Sequence, residues 1–572
     1  MGMQRSYKCE RVIERLHKKV NRQVVASLEA CVHCGMCTDQ CHYVLANPGD
    51  VTYMPSYKAD KLRKFFKAHI DWTGRTFPWW VSARSLYTDQ ELEELKDTVF
   101  GKCTNCRRCS INCPMGVDMA TFNRMARGLL VSVGVMPEGV AVVAKDQWEI
   151  GNQMGVLRED YIDTLTWMEE ELQAEHNDPA IKIPIDKMDC DVVYSINPRE
   201  VKYDPRTIAD AALIFHVAGE NWTMASEGWD MTNFGLFNGD DDLGGAVARR
   251  CYEATENLRG KKLVISECGH GYRSTRCEGQ NWGQKDIPFA MESSVITMLR
   301  YIKEGRIKVD KTTNTEPVTY HDSCNNARSC GMTEEPRELL NLVCTDFREM
   351  HPNRAENFCC TGGGGAMSMS EYTPRRLKSA AVKAAQLKAT GAKCVVTSCH
   401  NCVDGLTDLI RHYELGMKVT QLVNLVANAL IIPERRHAAA VGGLEGYKIL
   451  LADDEPDTLA YFETVLADHG AQVILATDGD EALDLARKEK PDLITLDLSM
   501  PGRDGGEVFE ILRKDPVLSQ TKVCIITGKP ELRRLIYDRP VPPPEGYLTK
   551  PVSEDDLMLN VRKVLEHTHH ES

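Results

Sequence analysis

Short apolar segments alternate with helix-length polar segments over the last quarter of the chain. They read YKILLA, AQVILA, PDLITL, KVCIIT and EGYLT, and the first begins at Tyr447. Short apolar runs bounded by turn signals are typical of buried parallel strands, and the segments between them are long enough for crossover helices. The pattern predicts a doubly wound α/β domain over residues 447–572, after a linker at 433–446.

A second α/β pattern lies in the middle of the chain, over residues 317–432, and places cysteines at the ends of its predicted strands. Five of them have the spacing C-x34-CC-x38-C-x2-C: Cys324, Cys359, Cys360, Cys399 and Cys402. Because ligands gather at the carboxyl ends of parallel strands, the pattern predicts a metal centre with converging thiolates. The glycines Gly362–Gly365 predict close access of a cluster or thiol substrate to the backbone, with a merely flexible loop as the alternative.

Residues 151–316 resemble an eroded copy of this unit. The segment KKLVISECGHGY aligns Cys268 with Cys399, but Gly271 stands where Cys402 stands. DMTNFGLFNG, from Asp230, replaces the segment with paired cysteines and glycines and contains no cysteine. We therefore expect a degenerate repeat that kept the fold and lost its cluster. Cys190 is interpreted as a relic of the first cysteine, and Cys268 and Cys277 either line the cleft or are structural.

Two further cysteine runs lie near the N-terminus, in a predicted α-rich ferredoxin-type domain over residues 1–150. Both read C-x2-C-x2-C-x3-C: Cys31, Cys34, Cys37 and Cys41, then Cys103, Cys106, Cys109 and Cys113. In this arrangement three thiolates hold one cubane [4Fe–4S] cluster and the fourth holds its neighbour. The prediction is one cluster on Cys31, Cys34, Cys37 and Cys113 and another on Cys103, Cys106, Cys109 and Cys41. A pair of zinc sites is the alternative.

Composition supports metal and redox chemistry over other functions. The chain has 572 residues and 22 cysteines, and its net charge of -14 argues against a general nucleic-acid partner. Neither a signal peptide nor an apolar run of roughly 20 residues is present, so a cytoplasmic location is expected, with membrane contact only through partner subunits. A basic and aromatic segment ending in FPWW at Trp80 predicts a docking surface for a neighbouring subunit, or else a packing loop.

The five-cysteine pattern resembles the CCG domain of heterodisulfide reductases. The resemblance implies that Cys324, Cys359, Cys360, Cys399 and Cys402 hold a noncubane [4Fe–4S] cluster at which a disulfide is reduced. His321, Arg328 and His400 flank these ligands and are expected either to supply a proton and hold a thiolate, or to form structural hydrogen bonds. Because no nicotinamide or flavin fingerprint is present, the chain is expected to relay electrons to a thiol–disulfide reaction.

Residues 1–432 as a whole resemble the DsrK branch of this family, which is similar to HdrD. The resemblance implies a membrane-associated complex of sulfur or sulfate respiration with a cytochrome b-type, DsrM-like subunit and other subunits. It also implies a DsrC-like protein, in disulfide or trisulfide form, as the substrate that is reduced or oxidised. The expected location is the inner face of the cytoplasmic membrane.

The C-terminal segment resembles a response regulator receiver with a flavodoxin-like fold. The resemblance implies that Asp453, Asp454 and Asp497 bind Mg²⁺ and that Asp497 accepts the phosphoryl group. It assigns Thr527 as the switch hydroxyl, Tyr547 as the switch aromatic residue and Lys550 as the phosphate-pairing lysine. Clustered carboxylates suit a hard cation, and the metal and lysine neutralise the phosphoryl charge. A histidine kinase or another phosphodonor acts in trans; a degenerate docking receiver is the alternative.

Two other functions remain open at this stage. The chain could be an electron-transfer adaptor of a related quinone-linked complex, of the Tmc or Hmc type, without bond chemistry. It could also be a redox-sensing signalling protein whose output is the receiver.

Overall fold

The computed structural model describes residues 5–176, 178–432, 444–528, 541–542, 544–550 and 552–566. The chain forms two compact units, Met1–Arg435 and Arg436–Ser572. Most of the predicted linker at 433–446 lies outside the described residues. The boundaries proposed within the first unit stay predictions.

The first part of unit one is helical, as its cysteine-rich sequence predicts. Some helix starts carry a side-chain cap; for example, Asp118 accepts from Ala120 N and Thr121 N, so a new helix begins just after the second cysteine run. A π-helical turn, Asp97–Gly101, immediately precedes that run. The helices are α1 Tyr7–Lys19, α2 Arg22–Ala30, α3 His42–Leu45, α4 Pro55–His69, α5 Trp72–Thr76, α6 Asp89–Lys96, α7 Arg108–Ile111, α8 Met119–Val131, α9 Glu138–Glu149 and α10 Arg158–His176.

A four-stranded parallel sheet follows, with strand order β2-β1-β3-β4. Its strands are β1 Val192–Ser195, β2 Trp222–Thr223, β3 Lys262–Ile265 and β4 Ala290–Ser293. Its helices are α11 Pro198–Tyr203, α12 Arg206–Val217, α13 Phe234–Asn238, α14 Asp241–Asn257, α15 Gly269–Arg273, α16 Gly279–Gly283 and α17 Ser294–Lys303. A second π-helical turn, Ser274–Glu278, extends α15.

A second parallel sheet has the order β5-β6-β7, and a parallel bridge from Val318 to Phe347 adds a fourth position beside β5. With that position included, the order repeats the topology of the first sheet. The strands are β5 Val318–Tyr320, β6 Cys394–Val396 and β7 Lys418–Thr420. The helices are α18 Glu335–Val343, α19 Thr373–Ser379, α20 Ala381–Thr390, α21 His400–His412 and α22 Leu422–Ala429, and a third π-helical turn spans Asn325–Ser329.

Unit two contains a five-stranded parallel sheet of order β9-β8-β10-β11-β12. All five strands predicted from the apolar segments are present, and the order reverses beside β8, as in a doubly wound fold. The strands are β8 Lys448–Ala452, β9 Gln472–Ala476, β10 Leu493–Leu496, β11 Lys522–Thr527 and β12 Gly546–Thr549. The helices are α23 Pro456–Asp468, α24 Gly479–Glu489, α25 Gly505–Lys514 and α26 Glu554–Glu566.

The predicted fold class is confirmed: an α-rich N-terminal part, two parallel α/β units and a doubly wound C-terminal unit. Within the described ranges, no helix is both long enough and apolar enough to span a membrane.

Candidate metal centres

The two N-terminal cysteine runs exchange their fourth members in space. One cavity, of about 300 Å³ with its open mouth, is lined by three cysteines of the first run and the last of the second: Cys31, Cys34, Cys37 and Cys113. A neighbouring cavity of about 500 Å³ is lined by Cys41, Cys103, Cys106 and Cys109. The backbone thus brings together the two predicted sets of four thiols, and a set of four soft donors fits a cubane cluster.

The five cysteines of the second α/β unit converge beyond the carboxyl ends of β5 and β6. Cys399 directly precedes α21, so Cys402 lies one turn along the same helix. Cys360 Sγ is 3.2 Å from Cys402 Sγ. An imidazole nitrogen of His321 lies within 4.8 Å of both sulfurs, and all three residues are buried. This donor set fits a thiolate-held cluster, as the sequence predicts.

The electrostatics of the group favour thiolates at two positions. Hydrogen bonding with Cys359, and then with Cys402, lowers the pKa of Cys360 well below its usual range. Hydrogen bonding with Cys402 likewise lowers the pKa of Cys399. Burial raises the pKa of Cys324 well above its usual value. Only the thiolate ligates a metal, so the hydrogen bonds among these sulfurs favour the ligating form.

The second cysteine run is in direct contact with this group. Thr104 Oγ1 lies 3.4 Å from Cys359 Sγ. Hydrogen bonding with Cys359, followed by burial, raises the pKa of Cys106 to about 11. Arg328 supports the same junction, because its Nη1 donates to Cys106 O at 3.0 Å. The second four-thiol cavity and the five-thiol group are therefore adjacent.

The glycine run Gly362–Gly365 packs closely against neighbouring backbone segments. Gly362–Gly365 are buried, and a Cβ on Gly362 would lie 2.1 Å from Asn401 O. A Cβ on Gly364 would lie 2.3 Å from Thr104 O, and this residue also has a positive φ of 67°. These glycines were expected to give a cluster or thiol substrate access to the backbone, which stays a prediction; Gly364 lines a cavity that Cys324 also lines. The glycines let the loop pack closely against α21 and the second cysteine run.

The three flanking residues have different environments. Only His321 lies among the thiols; Asn357 Nδ2 donates to its Nδ1 at 3.2 Å. Burial lowers the pKa of His321 well below its usual value, so the ring is neutral. His400 Nε2 instead pairs with Glu200 Oε1 at 2.8 Å. Arg328 donates from Nε to Ala355 O at 2.6 Å in addition to its bond with Cys106 O.

Three buried basic side chains near the thiols were not singled out in the sequence. Lys383 donates to Asn357 Oδ1 at 2.5 Å, and burial lowers its pKa to about 7. His270 hydrogen-bonds with Cys399 and lies 3.3 Å from Cys268 Sγ. Arg127 donates to four backbone carbonyls: Val99 O, Cys103 O, Phe237 O and Gly364 O. The motif CGH around Cys268 was the only sequence signal for any of them.

The first α/β unit has aromatic side chains where the second has thiols. The ring centroids of Phe237 and His270 are 4.7 Å apart. Gly365 of the second α/β unit approaches both Phe234 and Phe237. A Cβ at Gly271 would lie 2.3 Å from Met231 Sδ, so the position equivalent to Cys402 is filled.

The interpretation of Cys190 as a relic of the first cysteine is wrong. It precedes β1, whereas Cys324 follows β5, so it lies at the opposite end of its strand.

One side of the five-thiol group is open. Cys324 is half-buried, whereas the other four cysteines are buried. It lines a cavity of about 410 Å³, including the mouth, together with Thr121, Arg124, Arg273 and Asn325. The cavity therefore offers a path to Cys324 past two guanidinium groups.

The predicted phosphoacceptor site is assembled at the carboxyl ends of the strands in unit two. Asp453, Asp454 and Asp497 have carboxylate oxygens within 4.8 Å of one another, which suits a hard divalent cation. Lys550 Nζ lies 2.7 Å from oxygens of both Asp453 and Asp497. Burial lowers the pKa of Lys550, but hydrogen bonds with these two carboxylates outweigh it and raise the pKa overall.

The two predicted switch residues lie on the strands beside that site. Thr527 is the last residue of β11, and its carbonyl oxygen accepts from Lys550 N at 3.0 Å. Tyr547 is buried in β12 among the core residues of the sheet.

Family models match three parts of the chain. Residues 27–117 match the 4Fe-4S dicluster domain, residues 318–406 the cysteine-rich domain and residues 449–562 the response regulator receiver domain. These ranges contain all of the predicted ligand and phosphoacceptor positions.

Curated relatives cover the two units separately. The chain is 26% identical over 459 residues to an Hdr-like menaquinol oxidoreductase iron–sulfur subunit 2 of Archaeoglobus fulgidus, covering 72% of this chain and 81% of the relative. It is 27% identical over 419 residues to the D subunit of the dihydromethanophenazine:CoB–CoM heterodisulfide reductase of Methanosarcina mazei, covering 72% and 96%. Over 118 residues it is 36% identical to protein PilH of Pseudomonas aeruginosa, covering 21% and 97%.

Proposed function

We propose that the chain, which is similar to HdrD-like iron–sulfur subunits of the heterodisulfide reductase family, works as such a subunit and adds a C-terminal response regulator receiver domain. We propose that it reduces, or in the reverse direction oxidises, a protein disulfide or trisulfide beside the five-thiol group. The observation that supports this proposal most is the 3.4 Å contact of Thr104 Oγ1 with Cys359 Sγ. It places the second four-thiol cavity beside the five-thiol group, which is open on one side.

The proposed ligand sets follow the cavities. Cys31, Cys34, Cys37 and Cys113 hold one cubane cluster, and Cys41, Cys103, Cys106 and Cys109 hold the other. Cys324, Cys359, Cys360, Cys399 and Cys402 hold the noncubane cluster. When bound, the clusters supply one-electron transfer, so that a two-electron bond cleavage is divided into single steps.

The protein side chains then determine access and charge. Cys324 is the half-buried member of the group, so a substrate sulfur approaches from its side. Arg124 and Arg273 line that approach and attract a thiolate or an acidic segment. Near Cys360 and Cys402, His321 is buried and hydrogen-bonded to the buried amide of Asn357.

The partners are proposed from the family and from the surface. A DsrC-like protein is the proposed substrate, and a DsrM-like cytochrome b-type membrane subunit is the proposed electron partner. Trp79 and Trp80 are 77% and 75% exposed, beside a 70% exposed Trp72, and such an aromatic patch is typical of an interface core. Replacing Trp79 and Trp80 with alanine should abolish co-purification with the membrane subunit while the iron content stays unchanged.

The activity test uses the full chain with its clusters, a reduced viologen as electron donor and a disulfide or trisulfide form of a DsrC-like protein. Thr121→Trp fills the mouth of the cavity beside Cys324 from an exposed position. It should lower turnover at least about tenfold while viologen still reduces the clusters. Thr166→Trp, an exposed threonine on α10 away from that cavity, is the matched control. Unchanged turnover in Thr121→Trp would show that the substrate enters elsewhere.

A second function is favoured by the burial of four of the five thiols and of the glycine loop. In that case the chain passes electrons within a quinone-linked complex of the Tmc or Hmc type and breaks no bond. Cluster reduction by viologen without any turnover of a disulfide or trisulfide would support this alternative.

For unit two we propose Mg²⁺-dependent phosphorylation of Asp497 by a phosphodonor in trans, such as a histidine kinase. Lys550 contacts Asp497 directly and would pair with the phosphoryl group, which changes the surface around Thr527 and Tyr547. Acetyl phosphate should label the wild-type chain, and EDTA or Asp497→Asn should abolish the label. Undiminished labelling of Asp497→Asn would contradict the assignment.

A further inference from the structure

Two cysteines outside the ligand sets lie together at the surface of unit one. Cys277 belongs to the π-helical turn Ser274–Glu278, and Cys330 directly follows the π-helical turn Asn325–Ser329. Their sulfurs are 3.7 Å apart, although 53 positions separate them in the sequence. Cys277 is exposed and Cys330 is half-buried, so a second molecule can reach Cys277 first.

The two turns are held against each other independently of the thiols. Arg273 Nη1 donates to Asn325 Oδ1 at 3.2 Å. The start of α15 also approaches closely, since a Cβ at Gly269 would lie 2.4 Å from Ser323 Oγ. A disulfide bond is about 2.05 Å long, so the sulfurs need to approach by only about 1.7 Å, which side-chain rotation can supply.

The surroundings give the two thiols different reactivities. Hydrogen bonding with Cys330, opposed by burial and Glu278 and assisted by Arg276 and Arg273, lowers the pKa of Cys277 to about 7. The same hydrogen bond, together with burial, raises the pKa of Cys330. A partly ionised, exposed thiol beside a protonated one is the arrangement of an attacking and a resolving cysteine.

Other cysteines outside the ligand sets lack these features. Cys251 and Cys344 are buried, and burial raises the pKa of each to about 11. They behave as small apolar core residues. Exposure, a second thiol within reach and neighbouring guanidinium groups occur together at Cys277.

We propose that Cys277 and Cys330 form a redox-active dithiol that exchanges with the disulfide of an incoming protein or peptide. The pair is joined to Cys324 by a short segment, because Cys324 and Cys330 bracket the same π-helical turn. Arg273 lines that approach and also bonds across the two turns.

The exchange proceeds in two balanced steps. The Cys277 thiolate attacks one sulfur of the incoming disulfide, a mixed disulfide forms, and the other sulfur leaves as a thiolate that takes a proton from water. Cys330 then loses its proton to water and attacks Cys277 Sγ, which releases the second thiol. The incoming disulfide gains two electrons, and the pair loses two as it becomes the Cys277–Cys330 disulfide. No electron from the clusters is needed, so the step can be tested apart from the proposed reductase activity.

The test uses the reduced full chain under anaerobic conditions, with glutathione disulfide as the probe and no viologen. After acid quenching and alkylation, peptide mass spectrometry should find the Cys277–Cys330 disulfide in the wild-type chain. Cys330→Ser should accumulate glutathione on Cys277, at least about tenfold above the wild-type level, because the resolving thiol is missing. Cys277→Ser should leave Cys330 free over the same time, and Cys344→Ser should behave as wild type.

The proposal is overturned if both thiols of the wild-type chain remain alkylatable in excess glutathione disulfide. It is equally overturned if Cys330→Ser carries no more glutathione on Cys277 than the wild-type chain does. Iron content measured on each variant verifies that the chain has folded. Loss of viologen-driven turnover would concern the cluster site and leaves this result unaffected.

Discussion

In the second α/β unit, β6 leads through Thr397 and Ser398 to Cys399, and in the first, β3 leads through Ser266 and Glu267 to Cys268. Both cysteines directly precede a helix, α21 or α15. The backbone is therefore equivalent at the position of the first helix-side ligand. The units diverge only in what surrounds that cysteine.

The divergence is a replacement of ligands by packing. Where the second unit has Cys359 and Cys360, the first has the aromatic helix α13, and Phe237 packs on His270. Where the second has Cys402, Gly271 leaves its space to Met231. A parallel α/β unit of this kind keeps its fold without the thiols, because its sheet and helices bury their own apolar faces.

Side chains of the first α/β unit contact the five-thiol group of the second. His270 of the first unit hydrogen-bonds with Cys399 of the second, and Glu200 of the first pairs with His400. Residues around a metal ligand orient it and tune its basicity. The first α/β unit thus forms one wall of the five-thiol group.

The largest expected effect comes from replacing, one at a time, the equivalent cysteines of the two α/β units with serine. Cys399→Ser removes a proposed ligand and should reduce disulfide turnover below detection, with loss of one four-iron cluster. Cys268→Ser changes a cysteine that lacks partner thiols at the equivalent loop and should retain all of the iron. Iron analysis and EPR spectroscopy of both variants measure the difference. Equal iron loss in the two variants would abolish the distinction between the units.

The next largest effect concerns Arg127, the side chain that bonds to loops of both α/β units. Arg127 Nη1 donates to Phe237 O of the first loop at 2.8 Å and to Gly364 O of the second at 2.7 Å. Arg127→Met leaves four buried carbonyls without this donor, each costing about 1–3 kcal/mol, so we expect the free energy of unfolding to fall by at least about 4 kcal/mol.

Thermal unfolding of the full chain measures this loss as a lower Tm of the first unit. The half-buried Arg124, one turn earlier on α8, is the control. Arg124→Met should lower the Tm less, and a larger effect there would show that Arg127 does not carry the junction.

A smaller, pH-dependent effect distinguishes Glu267 of the first unit from Ser398 at the aligned position. Burial raises the pKa of Glu267 to about 8, while its carboxylate accepts from Leu422 N and Val423 N. The folded state therefore binds a proton that the unfolded state releases near pH 4.5. The stabilising contribution is complete below that pH and is lost as pH rises to about 8.

Over this window the free energy of unfolding should fall by at most about 1.4 kcal/mol per pH unit because of this group. Glu267→Gln cannot ionise and should show a flatter dependence of Tm on pH. A slope identical to that of the wild-type chain would show that Glu267 is ionised throughout.

The sequence was most informative where ligands are set by local spacing. The two C-x2-C-x2-C-x3-C runs and the pattern from Cys324 to Cys402 predicted the thiol groups because short loops limit how far such residues can separate. The strands of unit two followed from apolar runs for a similar reason: buried parallel strands must be apolar on both faces.

Contacts made only by the tertiary fold could not be predicted in this way. Arg127 and Lys383 lie in ordinary helical sequence, and their burial depends on which segments pack over them. The close packing of the glycine run on Thr104 and α21 could not be predicted, because these segments meet the run only in the fold. The Cys277–Cys330 pair likewise exists only because two distant π-helical turns meet.

The most direct test of the account is the iron content of the anaerobically prepared wild-type chain, with Mössbauer spectroscopy of the same sample. Two four-thiol cavities and one five-thiol group predict about twelve irons per chain, from three four-iron clusters, one of them with a noncubane signature. About eight irons, all in cubane clusters, would contradict the claim that the second α/β unit retains a metal centre.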